Sequence, residues 1–207
     1  IAIIGTGNVG STLGKGWAAK GHQVIFGTRD PNTAKVRDLL ETAGSNTSAA
    51  LVQEAVAAAD IVVLATPWAA TQQIVEAVAG WTGKIVVDCT NPIAPGLQLA
   101  LGTTTSGGEQ IAAWAAGARV VKAFNTTGTE NMAEPIYDSQ PITMFICGDD
   151  SEAKAAVTQL AEDLGFEVAD TGPLMTARFL EPLAIVWIRL AVVQGWGRDM
   201  AFKIVKR

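Results

Sequence analysis

Cysteine is scarce in this chain, with only Cys89 and Cys147 among 207 residues. Two cysteines cannot build a disulfide framework, and each lies in an apolar run, as a small buried side chain does. We therefore expect two buried free thiols and a reducing compartment, which favours a cytoplasmic protein.

Histidine is scarcer still, since His22 is the only one. It precedes the second predicted strand and so falls at the amino edge of a sheet, opposite the edge where open α/β sheets bind ligands. The chain also lacks a His/Cys/Asp cluster with metal spacing, a Gly-x-Ser-x-Gly elbow and a phosphate-loop lysine. We therefore expect no metal site and no catalytic side chain. A reaction that needs little help from an acid or a base remains compatible with these absences.

Charge and long apolar runs are limited as well. Charged residues make up 17% of the sequence and the net charge is −5, which argues against nucleic acid or an anionic membrane as a partner. The longest apolar stretch, Phe179 to Val193, contains Glu181 and Arg189 and is too short for a membrane span. Apolar residues are nevertheless plentiful, at 49%, and predict a sizeable core.

Runs of β-branched residues alternate with alanine-rich stretches through residues 1–172. This pattern predicts an α/β fold, a Rossmann-type, doubly wound, mostly parallel sheet that forms one domain over these residues. Strands are expected at Ile1–Ile4, Gln23–Gly27, Ile61–Thr66, Lys84–Cys89, Arg119–Phe124, Ile142–Cys147 and Glu167–Ala169, with at most a brief edge strand near Ser45–Thr47. Helices are expected at Val9–Lys20, Asn32–Ala43, Ala49–Ala59, Thr71–Ala79, Glu109–Ala116 and Glu152–Leu164. Residues 92–108 are expected to form a long loop at the carboxyl end of a strand.

The C-terminal segment, residues 173–207, has a different pattern. A helix is expected to run to Val193 and end at Gly195, with Pro182 kinking or restarting it. Between Phe179 and Val193 it is apolar almost all the way round, and little chain remains to cover its second face. A homodimer packed through this helix is one interpretation, and a helix sunk into a single domain is the alternative.

A glycine-rich turn follows the first predicted strand and opens the first predicted helix. It reads Gly5-Thr6-Gly7-Asn8-Val9-Gly10, and in this context the pattern indicates a dinucleotide site. The first glycine permits the tight turn, the second lets backbone amides approach a pyrophosphate, and the third lets helix and strand pack closely. The pyrophosphate would lie at the positive end of the helix dipole. A glycine-rich turn without a ligand is the alternative.

The end of the second strand distinguishes the two pyridine nucleotides. Proteins that bind NAD(H) have Asp or Glu there to accept from the ribose 2′-hydroxyl, whereas this chain has Thr28 and Arg29. A guanidinium beside a hydroxyl suits a 2′-phosphate, which predicts NADP(H) as the cofactor. Asp30 follows, but Pro31 comes directly after it, so we interpret Asp30 as the N-cap of the next helix.

Three loops at the carboxyl edge of the sheet are expected to line the ligand space. They contain Thr66-Pro67-Trp68, Asn91-Pro92 and Ala123-Phe124-Asn125. Trp68 and Phe124 are aromatic residues at strand ends, where a ring can stack on a planar cofactor. Ordinary turn and core packing is the alternative for each.

Several motifs, in this order along nearly the whole chain, resemble those of the NADPH-dependent deazaflavin (factor 420) reductase family. They are Ile3 to Gly10, Gly27-Thr28-Arg29, Thr66-Pro67-Trp68, Lys122 to Thr126, Cys147 to Asp150, Thr171 to Leu174 and Gln194-Gly195-Trp196-Gly197. The cytosolic nucleotide domain of membrane metalloreductases, where the acceptor is a flavin, is similar too.

The resemblance implies a homodimer that binds NADP(H), with the pyrophosphate at Thr6 to Val9 and the 2′-phosphate at Thr28 and Arg29. It further implies that a deazaflavin lies over the nicotinamide, near Ala123 and the Gly195–Gly197 tail, and that hydride passes directly between the two rings. Residues 173–207 would then supply the dimer contact and the acceptor site, and the partner would be a small-molecule redox acceptor, a deazaflavin or a flavin.

Two other functions stay open at the level of sequence. A reductase of small imines or carbonyl compounds would use the same cofactor, although such enzymes usually add a helical substrate domain larger than residues 173–207. A catalytically silent NADP(H)-binding sensor that signals through its dimer is the other, since hydride transfer leaves few marks in side chains.

Overall fold

The computed structural model describes residues 1–207, and its central feature is one large sheet. The strands of this sheet are β1 (Ala2–Ile4), β2 (Val24–Thr28), β3 (Thr47–Leu51), β4 (Ile61–Leu64), β5 (Ile85–Asp88), β8 (Arg119–Lys122), β11 (Thr143–Gly148) and β12 (Glu167–Asp170). Two hairpins lie outside it, formed by β6 (Ile93–Ala94) with β7 (Gln98–Leu99) and by β9 (Ile136–Tyr137) with β10 (Gln140–Pro141). The order in the large sheet is β12-β11-β8-β5-β4-β1-β2-β3.

Helices cover both faces of this sheet. They are α1 (Asn8–Ala19), α2 (Ala34–Ala43), α3 (Val52–Ala58), α4 (Trp68–Glu76), α5 (Gly107–Trp114), α6 (Thr129–Ala133), α7 (Ser151–Asp163) and α8 (Ala177–Ile188). Side chains alternate between the faces of a strand, and in β1 they do so between two separate core clusters. Ile3 joins residues of α1 and α7 in one cluster, and Ile4 joins residues of α3 and α5 in the other. The predicted doubly wound α/β fold is therefore confirmed.

The sheet is mostly parallel, and β1 lies at its topological switch point. Strand β1 pairs in parallel with β2 on one side and with β4 on the other. The one antiparallel pairing joins β11 to β8, and β12 then pairs in parallel with β11. In open sheets of this kind, ligands bind outside the carboxyl ends of the strands, next to the switch point. The glycine-rich turn follows β1 and therefore lies at this point.

The edge of the sheet differs from the prediction. A brief strand was expected near Ser45–Thr47 with a helix from Ala49, but β3 extends to Leu51 and α3 begins at Val52. Each residue of β3 pairs with a residue of β2, from Thr47 opposite Val24 to Leu51 opposite Thr28. Pairing with β2 thus overrides the low strand propensity of the alanines.

Side chains cap the starts of α5 and α7. The Ser106 side chain accepts a hydrogen bond from the amide of Glu109 and caps α5. The Asp150 side chain accepts from the amide of Ala153 and caps α7. Residues 92–108 were predicted as a loop, but they contain the β6–β7 hairpin.

The C-terminal segment forms helix α8 and a return tail. Helix α8 continues through Pro182, and a π-helical turn at Arg189–Val193 follows it. The tail then runs back to the sheet, where the amide of Thr143 donates to the carbonyl of Phe202. Lys203 forms a salt bridge with Glu167, with 2.9 Å between Nζ and Oε2. The return path of the tail was not predicted.

One face of α8 is buried and the other is open. Leu180, Ala184 and Trp187 are buried against the rest of the molecule, whereas Phe179 is 67% exposed and Val186 is 47% exposed. The helix therefore packs with one face against α5 and the β6–β7 hairpin, presents an apolar outer face, and is not sunk into the domain. None of the helices combines the length and the apolar character that a membrane span requires.

Candidate nucleotide-binding site

The glycine-rich turn adopts a geometry that only glycine allows at two positions. Gly5 has φ of +114°, and a Cβ there would lie 2.5 Å from the carbonyl oxygen of Ala65. A Cβ on Gly10 would lie 2.0 Å from the carbonyl oxygen of Gly5. The turn and the start of α1 are therefore held close to β1 and β4, as the glycine spacing predicted.

The N-terminus of α1 is open to a ligand. Its N-cap is Gly7, which provides no side chain to bond the first amides, and the first turn carries no acidic residue. Gly7 and Asn8 are exposed, and a Cβ on Gly7 would meet nothing within 4 Å. Free amides and the helix dipole make this end of α1 suitable for an anion.

A cavity of about 630 Å³ extends from this turn across the carboxyl ends of β2 and β4. Its lining residues come from the glycine turn, the end of β2, α3, the loop after β4, and α4 with the turn that follows it. They are Ile4, Gly5, Thr6, Gly27, Thr28, Arg29, Val52, Gln53, Thr66, Pro67, Ala70, Gln73, Ile74, Ala77 and Val78. The structure thus brings six of the predicted site residues to one cavity: Gly5, Thr6, Thr28, Arg29, Thr66 and Pro67.

Arg29 supplies the positive charge of this cavity. It is exposed, and it takes part in none of the salt bridges of the structure. Thr28 beside it is half-buried and ends β2. A free guanidinium next to a hydroxyl is an arrangement that can bind a phosphate.

Asp30 is engaged locally, but not as predicted. Helix α2 begins at Ala34, and its N-cap is Thr33, whose hydroxyl accepts from the amide of Val36. Asp30 instead accepts from the amide of Asn32 at 2.9 Å, which closes an Asx turn. The N-cap prediction was wrong because a turn at Pro31 and Asn32 delays the helix.

The two aromatic residues singled out from the sequence face away from this cavity. The half-buried Trp68 ring lies 5.4 Å from the ring of Trp114. The Phe124 side chain is buried and makes edge contacts with Trp17 and Phe166, with ring centroids 5.6 and 6.1 Å away. Stacking of Phe124 on a planar ligand is therefore wrong for this structure, since core packing encloses its ring.

The backbone at Phe124 is strained where the chain leaves β8. Its φ of +60° lies in the left-handed region, which costs a non-glycine residue about 1–2 kcal/mol. Its amide donates to the sulfur of Met144 at 3.1 Å, which helps to hold this conformation. Such strain is often found at functional sites, and here it directs Ala123 and Asn125 along the carboxyl edge of the sheet.

Asn91 and Asn125 come together at this edge, after β5 and β8. The Nδ2 atom of Asn125 donates to Oδ1 of Asn91 at 3.0 Å and to the carbonyl of Leu180 at 3.1 Å. Nδ2 of Asn91 donates in turn to the carbonyl of Asn125. The remaining Oδ1 atom of Asn125 is buried and has no hydrogen-bond partner. An unpaired buried acceptor is costly, so this atom is available for a donor.

Sequence reasoning missed a buried charge cluster beside this edge, which we call the buried triad: Asp88, Lys122 and Glu181. The Nζ atom of Lys122 lies 2.8 Å from Oδ2 of Asp88 and 2.9 Å from Oε1 of Glu181. Burial disfavours the charged amine, but the two carboxylates outweigh it and raise the pKa of Lys122. Lys122 therefore stays protonated. The signal in the sequence was a lysine inside the apolar run from Arg119 to Phe124.

Glu181 also binds the start of α5. Its two carboxylate oxygens accept from the amides of Gly107 and Gly108, at 3.0 and 3.1 Å. A Cβ on Gly107 would lie 3.0 Å from Oε1 of Glu181, so glycine leaves room for this contact. The carboxylate thus supplies the acceptor that the first turn of a helix needs, and its charge suits the helix dipole.

The remaining predicted residues lie apart from the cavity. Pro92 and Ala123 are buried at the carboxyl edge, and Gly195 and Gly197 lie in the exposed tail with positive φ angles. His22 precedes β2 at the amino edge of the sheet, where its Nε2 atom lies 2.8 Å from Oδ2 of Asp163.

Both cysteines are buried and free, which confirms that expectation. Burial raises the pKa of the Cys89 thiol, and it raises the pKa of Cys147 to about 12. Both therefore remain protonated thiols at neutral pH.

The fold and the open glycine turn define a nucleotide-binding protein of the Rossmann class. A family model described as "NADP oxidoreductase coenzyme F420-dependent" matches residues 1–92. A crystal structure from Arthrobacter sp. FB24, provisionally described as an F420-dependent NADP-reductase, is 35% identical over 99% of this chain and 98% of that one, with a TM-score of 0.89. The chain belongs to this family, and it is an NADP-dependent oxidoreductase.

Two curated relatives are more distant. The F420-dependent NADP reductase of Methanothermobacter thermautotrophicus is 29% identical over 93% of this chain and 89% of its own length. The metalloreductase STEAP3 of Rattus norvegicus is 29% identical over 89% of this chain, but the match spans only 36% of that protein.

Proposed function

We propose that the protein transfers hydride between NADP(H) and a deazaflavin or flavin acceptor. The observation that carries the proposal is the cavity that joins the glycine turn to Thr28 and Arg29. The description of the family and the names of the Arthrobacter and Methanothermobacter relatives support F420 as the acceptor class. The rat relative is named a metalloreductase, and the resemblance to such proteins supports a flavin as the alternative acceptor.

The adenosine half of the site consists of the glycine turn and the cavity. In this proposal the pyrophosphate binds the amides from Thr6 to Val9, at the uncapped end of α1. The 2′-phosphate binds the free Arg29 guanidinium and the Thr28 hydroxyl. The apolar side chains of Val52 and Ile74 line the same cavity and suit the adenine ring.

The nicotinamide edge consists of the loops 89–92 and 123–126, together with Thr66, Pro67 and Trp68. The unpaired Oδ1 atom of Asn125 suits the N–H group of a primary carboxamide. Asn91 and Pro92 would then lie on the same side of the ring as Ala123. A carboxamide held there fixes the orientation of the ring, which is what a hydride donor requires.

The chain's own residues need not exchange a proton in this reaction. NADPH supplies the hydride when it is bound, and a deazaflavin or flavin ring accepts it. The buried thiols of Cys89 and Cys147 keep their protons. His22 lies at the amino edge of the sheet, opposite the edge where the cofactor is proposed to bind. In this proposal the protein binds the cofactor and the acceptor, orients their rings and excludes water.

The acceptor side is assigned to residues 173–207. Gly195 and Gly197 flank Trp196, whose side chain is 68% exposed. The open face of α8 and of the turn that follows it presents Phe179, Val186 and Val193 to the outside, and a second copy of the chain would cover it in a homodimer. The two free thiols favour a reducing compartment, and with it a cytoplasmic location.

A turnover panel tests the proposal. The purified protein is mixed with NADPH and, in turn, coenzyme F420, FMN, FAD, a ferric chelate and a cyclic imine, while nicotinamide absorbance is followed. Oxidation with F420 or a flavin, but not with the imine, is expected. Turnover with the imine alone would support the imine reductase instead. Tight NADPH binding without any turnover would support the silent sensor.

A further inference from the structure

The buried triad is fully enclosed and fully paired. The side chains of Asp88 and Lys122 are 0% exposed and that of Glu181 is 2% exposed. The Lys122 ammonium donates to the Thr90 carbonyl as well as binding both carboxylates. Oδ1 of Asp88 accepts from the amide and the hydroxyl of Thr90, each at 2.8 Å. Each charged or polar atom of the three side chains therefore has at least one hydrogen-bond partner within the protein.

Stability alone gives little reason for such a cluster. Removing three charges from water is expensive, and apolar side chains of similar volume often hold a core as well or better. A fully bonded buried network does fix the relative position of the segments it joins. The segments joined here therefore indicate its role.

The triad joins the three segments that meet at the nicotinamide edge. Asp88 ends β5 and binds Thr90, directly before Asn91. Lys122 ends β8, directly before Ala123. Glu181 lies in α8, next to Leu180, whose carbonyl accepts from Asn125.

The adenosine half has no part in this network. Thr28, Arg29, Val52 and Ile74 come from the end of β2, from α3 and from α4. None of them bonds to Asp88, Lys122 or Glu181. A disturbance of the triad should therefore reach one end of the cofactor and spare the other.

We propose that Asp88, Lys122 and Glu181 act together as positioning residues, which set the nicotinamide edge against α8 for hydride transfer. This rests on the proposed function, because it assumes that the nicotinamide lies at this edge. Reacting atoms must approach to about 3–3.5 Å, and a displacement of about 1 Å can lower the rate about a hundredfold. A rigid buried network linking β5, β8 and α8 provides that control.

The test uses a charge-neutral triple variant, Asp88→Asn with Lys122→Met and Glu181→Gln, so that no single charge is left buried without a partner. A second variant, Glu181→Asp, keeps the charge and draws the carboxylate back by one methylene group. The matched control is Arg178→Met with Glu109→Gln. It removes an ion pair that also joins α8 to α5, at 2.6 Å, but is about one-quarter exposed.

Binding of 2′,5′-ADP, binding of NADPH, and kcat and KM with the acceptor found in the panel are measured for each protein. We expect the triad variants to bind 2′,5′-ADP within about twofold of wild type, to lose part of the extra affinity for NADPH, and to lose about tenfold to a hundredfold in kcat. The control should keep its kcat within about threefold, since this pair lies outside the triad and is partly screened by water.

Wild-type kcat in the triad variants would overturn the proposal. So would a parallel loss of 2′,5′-ADP affinity, which indicates general damage to the fold, or an equal loss of kcat in the control. If the triple variant does not fold, the same binding and kinetic measurements on Glu181→Asp test the proposal. If the wild type binds NADPH but no acceptor reacts, the proposed function fails, and the ratio of NADPH to 2′,5′-ADP affinity still tests the positioning role.

Discussion

Backbone groups and one exposed arginine form the adenosine half of the proposed site, whereas side chains from distant parts of the chain form the nicotinamide edge. The glycine turn and Arg29 follow directly from short motifs at the ends of β1 and β2. At the other edge, Lys122 bonds to Asp88 and Glu181, which lie far away in the sequence. Mutations in the adenosine half should therefore change nucleotide affinity, whereas mutations at the nicotinamide edge should change how the nicotinamide ring is oriented.

The largest expected effect is a loss of stability when the buried triad at the nicotinamide edge loses its lysine. Lys122→Met leaves the carboxylates of Asp88 and Glu181 buried without their cation, and we expect it to lower the free energy of unfolding by about 3–5 kcal/mol. Denaturant titration measures this change. Lys15→Met, at an exposed position of α1, is the control and should change stability by less than about 0.5 kcal/mol. A loss of less than about 1 kcal/mol for Lys122→Met would contradict the described burial of the triad.

The next largest expected effect is a loss of NADPH affinity in the adenosine half. Arg29→Ala removes the free guanidinium, and charge-assisted hydrogen bonds of about 1.5–3 kcal/mol predict a loss of NADPH affinity of about tenfold or more. Affinity for NADH should stay the same because it has no 2′-phosphate. Fluorescence titration with both nucleotides measures the change. Arg37→Ala is the control, because Arg37 is exposed and lies outside the cavity; an equal loss in both variants would reject the assignment.

Two glycines separate binding from stability within the same turn. A Cβ on Gly10 would lie 2.0 Å from the Gly5 carbonyl, so Gly10→Ala should lower both stability, by about 1–3 kcal/mol, and NADPH affinity. A Cβ on Gly7 meets open space, so Gly7→Ala should keep the melting temperature and lose only affinity. Melting curves and NADPH titrations of both variants measure these effects. Wild-type affinity in Gly7→Ala would argue against a pyrophosphate at this turn.

The smallest expected effect concerns the tail. A hydrogen bond from Arg198 lowers the pKa of Glu130 below its ordinary value of 4.5. A lowered pKa stabilises the fold at pH values above 4.5, and this contribution is lost as the pH falls below 4.5 and through the lowered pKa. The two side chains are 46% and 40% exposed, so the effect should stay below about 1 kcal/mol and shrink in salt.

Stability measured from neutral to acid pH checks this expectation. Glu130→Gln should lose a small part of its stability near neutral pH and show a flatter decline in acid than wild type. Glu134→Gln, at an exposed position four residues further along the chain, should follow the wild-type curve. Identical curves for wild type and Glu130→Gln would show that this pair does not anchor the tail.

Most of the fold could be predicted because its signals are local. The buried strands are runs of β-branched residues. The turn is predicted by the spacing of Gly5, Gly7 and Gly10 alone. The β3–α3 boundary could not be predicted, because pairing with β2 decides the state of Ala49 to Leu51. Neither could the return of the tail to Thr143, which is a long-range contact.

The candidate site divides in the same way. Thr28 and Arg29 follow a predicted strand and could be assigned from their chemistry. The direction of the Phe124 ring depends on a left-handed backbone angle and on Trp17, which no local pattern reveals. Lys122 was visible as a charge in an apolar run, but its partners were not, since buried ion pairs depend on three-dimensional proximity.

The central claim is that the end of β2 recognises a 2′-phosphate. Calorimetric titration of the wild-type protein with NADPH and with NADH, under the same salt and pH, tests it most directly. We predict NADPH to bind at least about tenfold more tightly than NADH, as one charge-assisted contact would give. Equal affinity for the two nucleotides, or no heat with either, would contradict the account.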